Sequence, residues 1–183
     1  EAAAETVRRG AALGLSFDGD ADRVIACDEK GRIVDGDRIL YVLARALLDR
    51  GRLPRSSVVG TLHTNLGAEA ALKKSGISLV RTDIGDHNVT ARMCSEGFAL
   101  GGEQSGHLIY RQYSTTGDGL LAALQLLRIV REKEKPLSEL AGLLHLFPQK
   151  LINVRVEKKL PFEERPAIGK AVADVEKALA GRG

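Results

Sequence analysis

LGLSFDGDADRVIACD, residues 13–28, decides how the fold is read. Two short apolar runs, 13–17 and 24–27, flank a turn made of Asp18, Gly19, Asp20, Ala21, Asp22 and Arg23. Apolar runs of four or five residues bounded by turn formers read as β-strands, so the stretch is strand, acidic turn, strand. Asp28-Glu29-Lys30-Gly31 then makes a second turn, and 32–34 a returning strand. Asp37 is the expected cap of a helix over 38–50, with Ile39, Leu40, Leu43, Ala46 and Leu47 on one face and Gly51 just past its end.

Outward from there the periodicity alternates. Strands are expected at 57–62, 77–82, 98–100 and 107–110. Helices are expected at 65–76 (capped by Asn65 and closed by Gly76), 86–96 (stopped by Gly97), 117–133 and 138–146 (ended by Pro148). Strand alternating with helix argues a layered α/β domain. A strand at 150–156 and a helix at 162–179 containing Pro166 follow, too little to close a core alone. The last residues, 181–183, read as the lead into a further strand. Both ends are therefore expected to be cuts through a longer protein.

Composition narrows the function classes. Hydrophobic residues are 44% and charged residues 28%, a balance that supports a packed core. Net charge is +3 with basic and acidic residues interspersed, which suits small anions better than nucleic acid. Trp is absent and aromatics are 4%, a poor supply for base stacking. Cys27 and Cys94 form no Cys-x-x-Cys pair and read as small buried residues of a reduced compartment. No apolar run is long enough to cross a bilayer, so a cytoplasmic protein is expected.

Three carboxylates within five residues repel one another unless a cation binds them. Alternate spacing on a tight turn lets Asp18, Asp20 and Asp22 face one site, and their hard oxygens select Mg²⁺ or Ca²⁺ over zinc. Arg23 beside them can grip a phosphate that the metal also holds. Three other readings stay open on these residues. In an EF-hand, Asp18, Asp20, Asp22 and Glu29 fit, but Arg23 stands where the loop needs Gly. In a phosphatase, Asp18 would be the nucleophile. A solvated acidic turn is the third.

A second constellation is GGEQSGH, residues 101–107. Its glycines let backbone approach a ligand closely. Glu103 and Ser105, two apart on an extended loop, would point the same way and read vicinal hydroxyls. His107 could bind a phosphate or move a proton. A plain hairpin turn is the alternative. Thr116 and Asp118 read as helix caps.

Taken together, FDGDADRV (17–24), IVDGD (33–37), TNLG (64–67), GGEQSGH (101–107) and TTGDGLL (115–121) resemble the α-D-phosphohexomutases, and within them the bacterial branch that acts on glucosamine phosphate. The resemblance covers nearly the whole chain. It implies a mixed sheet between helices, an isomerase that moves a phosphoryl group through a bisphosphorylated sugar, and a phosphoserine with Mg²⁺ as cofactor. Asp18, Asp20 and Asp22 would hold the metal. Arg23 and His107 would be catalytic, and Glu103, Ser105 and His107 would bind the sugar phosphate. It also implies the end of a second domain at 1–35, a third at 36–146 and the start of a fourth at 147–183. A homodimer is compatible with the whole protein. The family's serine loop and its terminal phosphate clamp have no match here, so the chain alone is expected to lack mutase activity. GDHN at 85–88 stands where GDRY is usual, His63 where Met is usual, and Gln112 where Asp is common. These departures keep phosphomannomutase or phosphoglucomutase specificity as the alternative.

Overall fold

The computed structural model describes residues 1–152, 154–156 and 165–180. By internal packing the chain divides into two units, Glu1–Phe147 and Pro148–Gly183.

The first unit opens with helix α1 (Ala2–Arg9), closed by Gly10 in the left-handed conformation. Strands β1 (Leu13–Phe17), β2 (Val24–Asp28) and β3 (Ile33–Val34) then form an antiparallel sheet in that order. Phe17 pairs with Val24 and Leu13 with Asp28, so the acidic turn closes one end of the hairpin. At the other end, Asp28 Oδ1 accepts from the backbone N–H of Lys30 and of Arg32, both at 2.9 Å. This tight Asx-type turn is the one the sequence suggested.

Helix α2 (Gly36–Asp49) follows. Its cap is Asp35, not Asp37: Asp35 has extended backbone and its side chain accepts from the Arg38 N–H. Asp37 sits inside the first turn, 1% exposed, and accepts instead from the Asn65 N–H at 2.9 Å. Two aspartates two residues apart offer equal capping signals; the tertiary partner at Asn65 decides between them.

The second sheet runs β5–β4–β6–β7, with β4 (Ser57–Thr61) parallel to β5 (Ser78–Thr82) and β6 (Leu100–Gly102), and β7 (Leu108–Tyr110) antiparallel to β6. It is a mixed sheet with both faces covered. The period of two shows in the core: Val58, Leu100, Leu108 and Tyr110 join the cluster formed with α2, α3 (Leu66–Lys74) and α5 (Gly119–Lys133). Their neighbours Val59 and Ile109 pack instead with Phe98 and with Val89 and Met93 of α4 (Asp86–Glu96). Val58 and Val59 are both 0% exposed, as a strand buried on two faces requires. The expected α/β layering with a mixed sheet between helices is the fold observed.

Several boundaries shift. Helix α6 spans only Leu137–Leu140 rather than 138–146. Gly142, whose backbone packs against Ser138 O, does not continue it. Asp118 caps α5 by accepting from the Leu121 N–H at 2.8 Å, whereas Thr116 precedes the helix and caps nothing. Cys27 is buried as expected. Cys94 is exposed, because Val89 and Met93 are the α4 residues that turn to the sheet.

In the second unit, residues 150–152 and 154–156 form no strand, contrary to expectation. Helix α7 (Pro166–Leu179) begins at its proline, which lacks the N–H that a first-turn residue would leave unpaired. Of the expected 162–179 helix, 162–164 lie outside the described residues, as do 181–183. No described helix is long and apolar enough to cross a membrane.

Candidate functional site

The turn between β1 and β2 brings the three aspartates together. Asp18, Asp20 and Asp22 each offer a carboxylate oxygen, and these oxygens lie within 4.8 Å of one another. The loop is held by the Ala21 N–H donating to Asp18 O at 3.2 Å and the Arg23 N–H donating to Asp18 Oδ1 at 3.2 Å. Ala21 adopts φ +58°, a left-handed turn position. Arg23 Nε lies 3.6 Å from both Asp18 Oδ2 and Asp22 Oδ1, beyond hydrogen-bond range. Asp22 Oδ1 is buried and has no hydrogen-bond partner. Convergent hard oxygens, together with a buried unsatisfied oxygen on one of the three residues, fit a divalent cation of the Mg²⁺ type. The strand flanks exclude the EF-hand. Glu29, its twelfth-position ligand, lies beyond the opposite end of the hairpin, accepting from the Ser138 N–H at 3.3 Å.

GGEQSGH closes onto this loop from the second sheet. The Val24 N–H donates to Gly106 O at 3.1 Å, and Arg23 and His107 form an isolated antiparallel bridge. Gly106 has φ +94°, and a Cβ there would stand 2.3 Å from Val24 O, so only glycine permits the junction. A third segment braces the loop from below: the Gly119 N–H donates to Ala21 O at 3.0 Å. DGDADR, GEQSGH and TTGDG are thus one assembly, although they span a hundred residues of sequence.

Residues 103–106 form a tight turn rather than an extended loop: the Gly106 N–H donates to Glu103 O at 3.0 Å. Gly36 seats it, its N–H donating to Gln104 O at 3.1 Å, and a Cβ on Gly36 would meet Glu103 O at 2.0 Å. Glu103 and Ser105 nevertheless line one cavity of about 350 Å³, with Arg23, Gln104, Thr61, His63 and Ile84. Glu103 Oε1 accepts from the Gly85 N–H at 3.2 Å, which ties the 83–88 loop to the wall. One guanidinium, one carboxylate and a hydroxyl around an open cavity can hold a molecule that is anionic at one point and hydroxylated at others.

His107 is buried. It is 4% exposed and is not among the residues lining the cavity. Its Nε2 accepts from the Gly117 N–H at 3.1 Å, and its Nδ1 lies 3.0 Å from Asp22 Oδ2. Both ring nitrogens have partners inside the protein. Thr61, Ile84 and Gln104 were not singled out by sequence. Thr61 and Ile84 carry no chemical signature, and only the ends of β4 and β5 bring them to the cavity.

Comparison with known proteins follows the same lines. Residues 35–147 match the family model described as phosphoglucomutase/phosphomannomutase, alpha/beta/alpha domain III. Phosphoglucosamine mutase of Desulfovibrio desulfuricans is 63% identical over 171 residues, covering 93% of this chain and 38% of the relative. That of Geobacillus thermodenitrificans is 51% identical over 181 residues, 99% of this chain and 40% of the relative. The chain therefore spans about 40% of the length of the curated relatives it matches. A phosphoglucomutase/phosphomannomutase family protein of Burkholderia thailandensis superposes with TM-score 0.70 at 27% identity, over 78% of this chain and 31% of that one. The N-acetylphosphoglucosamine mutase of Aspergillus fumigatus, solved with GlcNAc-6P and magnesium, shares the fold with TM-score 0.66 at 22% identity, over 79% of this chain and 38% of that one. The family match spans the whole mixed-sheet domain and both glycine-rich loops that clamp the aspartates, and by it the chain belongs to the phosphoglucomutase/phosphomannomutase family.

Proposed function

We propose that this chain is the metal- and sugar-binding part of a phosphoglucosamine mutase, which interconverts glucosamine 6-phosphate and glucosamine 1-phosphate through a bisphosphate. The observation that carries the reading is that the loop on which the Asp18, Asp20 and Asp22 oxygens converge also carries Arg23, which walls a cavity together with Glu103 and Ser105. The names of the relatives at 63% and 51% identity support the amino-sugar choice. Residues 1–35 would close a second domain, 36–146 form a third, and 147–183 open a fourth.

Phosphoryl transfer asks a protein for charge neutralisation and alignment more than for covalent help. Asp18, Asp20 and Asp22 would hold Mg²⁺, which supplies positive charge against phosphoryl oxygens. Arg23 donates to a phosphate oxygen from the cavity wall. Glu103 accepts from a sugar hydroxyl, and Ser105 donates to or accepts from its neighbour. The phosphoserine and the phosphate clamp that such an enzyme needs have no counterpart among these 183 residues. The working compartment would be the cytoplasm.

The test uses the full-length protein that carries this chain, assayed with Mg²⁺ on glucosamine, mannose and glucose 6-phosphates. The highest kcat/KM is expected on the amino sugar. A preference for mannose or glucose phosphate would move the assignment to the sister activities, and no turnover of any of the three would sink it.

A further inference from the structure

We infer that His63 is a substrate-contacting residue, whose imidazole donates a hydrogen bond to an oxygen of the sugar phosphate in the cavity of Arg23, Glu103 and Ser105. This rests on the sugar-phosphate reading above. The place of the cavity in the fold carries the inference. Strands β4, β5 and β6 run parallel and end at Thr61, Thr82 and Gly102. The cavity collects Thr61 and His63 from the end of β4 and the turn after it, Ile84 from the turn after β5, and Glu103, Gln104 and Ser105 from the turn after β6. Open α/β sheets bind ligands just outside the carboxyl ends of their parallel strands. His63 thus holds on β4 the place that Glu103 and Ser105 hold on β6.

The turn that carries His63 is fixed by the protein's own bonds. The Thr64 N–H donates to Thr61 O at 3.0 Å, the His63 N–H to Thr61 Oγ1 at 3.3 Å, and the Leu62 N–H to Thr82 O at 3.0 Å. Arg81 locks it from behind: Nη1 donates to Thr61 O and Thr64 O, both at 3.0 Å, while Nη2 donates to Glu69 Oε2 at 2.7 Å. A half-buried side chain on a turn so held has little freedom left to lose on binding. An imidazole keeps at least one N–H in either protonation state, so it can donate to a hydroxyl or phosphoryl oxygen in both. Glu103 brings a carboxylate, which accepts, and its Oε1 already takes the Gly85 N–H at 3.2 Å. His63 adds a donor beside it.

The experiment is steady-state kinetics of the full-length protein and two variants, with Mg²⁺ and the sugar 6-phosphate that the wild type turns over best. His63→Met has similar reach and no N–H, and His63→Gln keeps an N–H donor. Neither touches the backbone bonds of the turn, so urea midpoints should match wild type. We expect His63→Met to raise KM about tenfold with kcat within about twofold, because the bond is made alike in ground and transition states, and His63→Gln to recover most of the loss. An unchanged KM in His63→Met, or a fall in kcat alone, overturns the contact. So does a KM rise that accompanies a lowered urea midpoint and that His63→Gln does not recover, which marks a structural role. A wild-type protein that turns over none of the glucosamine, mannose or glucose phosphates overturns the functional reading and this inference with it. Should His63→Met fail to fold, the wild type decides: the ring ¹H–¹⁵N signals of His63 should shift at saturation with the sugar phosphate, and signals that stay in place refute the contact.

Discussion

Asp37 shows what a single buried charge does when its surroundings are only half prepared for it. Its Oδ2 accepts from the Asn65 N–H, while Oδ1 is buried without a partner. Burial is the largest influence and pushes the carboxyl up to about 6 from an ordinary 3.8; the Asn65 N–H, Arg81 and Arg38 pull it down, and Asp35 pushes it up. The folded state thus holds its proton more tightly than the unfolded chain does. Stability linked to Asp37 is therefore full below 3.8 and is lost as pH rises through about 6. Asp37→Asn keeps an acceptor for Asn65 and removes the buried charge. It should be more stable than wild type at pH 7.5 by on the order of 1–2 kcal/mol, less than the shift alone implies because the α2 N-terminus favours the anion. Urea denaturation at pH 7.5 and at pH 4 checks this: the advantage should shrink at the lower pH, and an equal difference at both would refute the linkage. The sequence offered Asp37 as a cap, and nothing local could have revealed its role. Its partner Asn65 is itself a cap, of α3, whose Oδ1 accepts from the Gly67 N–H at 2.9 Å.

Among elements, the strands were the most legible part of the sequence, because burial on alternate faces writes itself as short Val- and Ile-rich runs. The helix caps at Asn65, Asp118 and Gly97 were equally readable, each a residue type with a local hydrogen-bonding or backbone reason to be there. What could not be read was the meeting of distant turns. The 103–106 turn looked extended because its spacing suited an extended loop; the bond from Gly106 N–H to Glu103 O folds it tightly. The burial of His107 could not be read locally, because its ring partners, Gly117 and Asp22, lie far from it in sequence. The junction between elements also sets the next prediction. Gly106→Ala would place a Cβ 2.3 Å from Val24 O with the backbone at φ +94°, and backbone offers little relief. A loss of about 2–4 kcal/mol is expected from strain and overpacking combined. Gly19→Ala is the control: nothing lies within 4 Å of its Cβ position, so the urea midpoint should barely move. Equal midpoints for the two variants would mean that the hairpin and the mixed sheet are not joined at Gly106.

At the scale of the molecule, Asp18, Asp20 and Asp22 belong to the β1–β2 hairpin, while the groups that brace their loop belong to the mixed-sheet domain. Val24 N–H donates to Gly106 O, Gly119 N–H to Ala21 O, and Gly117 N–H to the ring that holds Asp22. A cation bound by the three aspartates therefore stabilises a conformation whose hydrogen bonds reach into β7 and the start of α5. Ligand binding to the native state alone contributes RT ln(1 + [L]/Kd), about 2.7 kcal/mol at a hundredfold excess over Kd. Amides that exchange only when this assembly opens should slow by up to about a hundredfold under that condition. Hydrogen exchange with and without Mg²⁺ reads this directly. Slowing is expected at Val24, Gly117 and Gly119 as well as within 18–23. Slowing confined to 18–23 would show a hairpin that binds its cation independently. In that case the clamp by the two glycine-rich loops would shape the cavity without governing the metal.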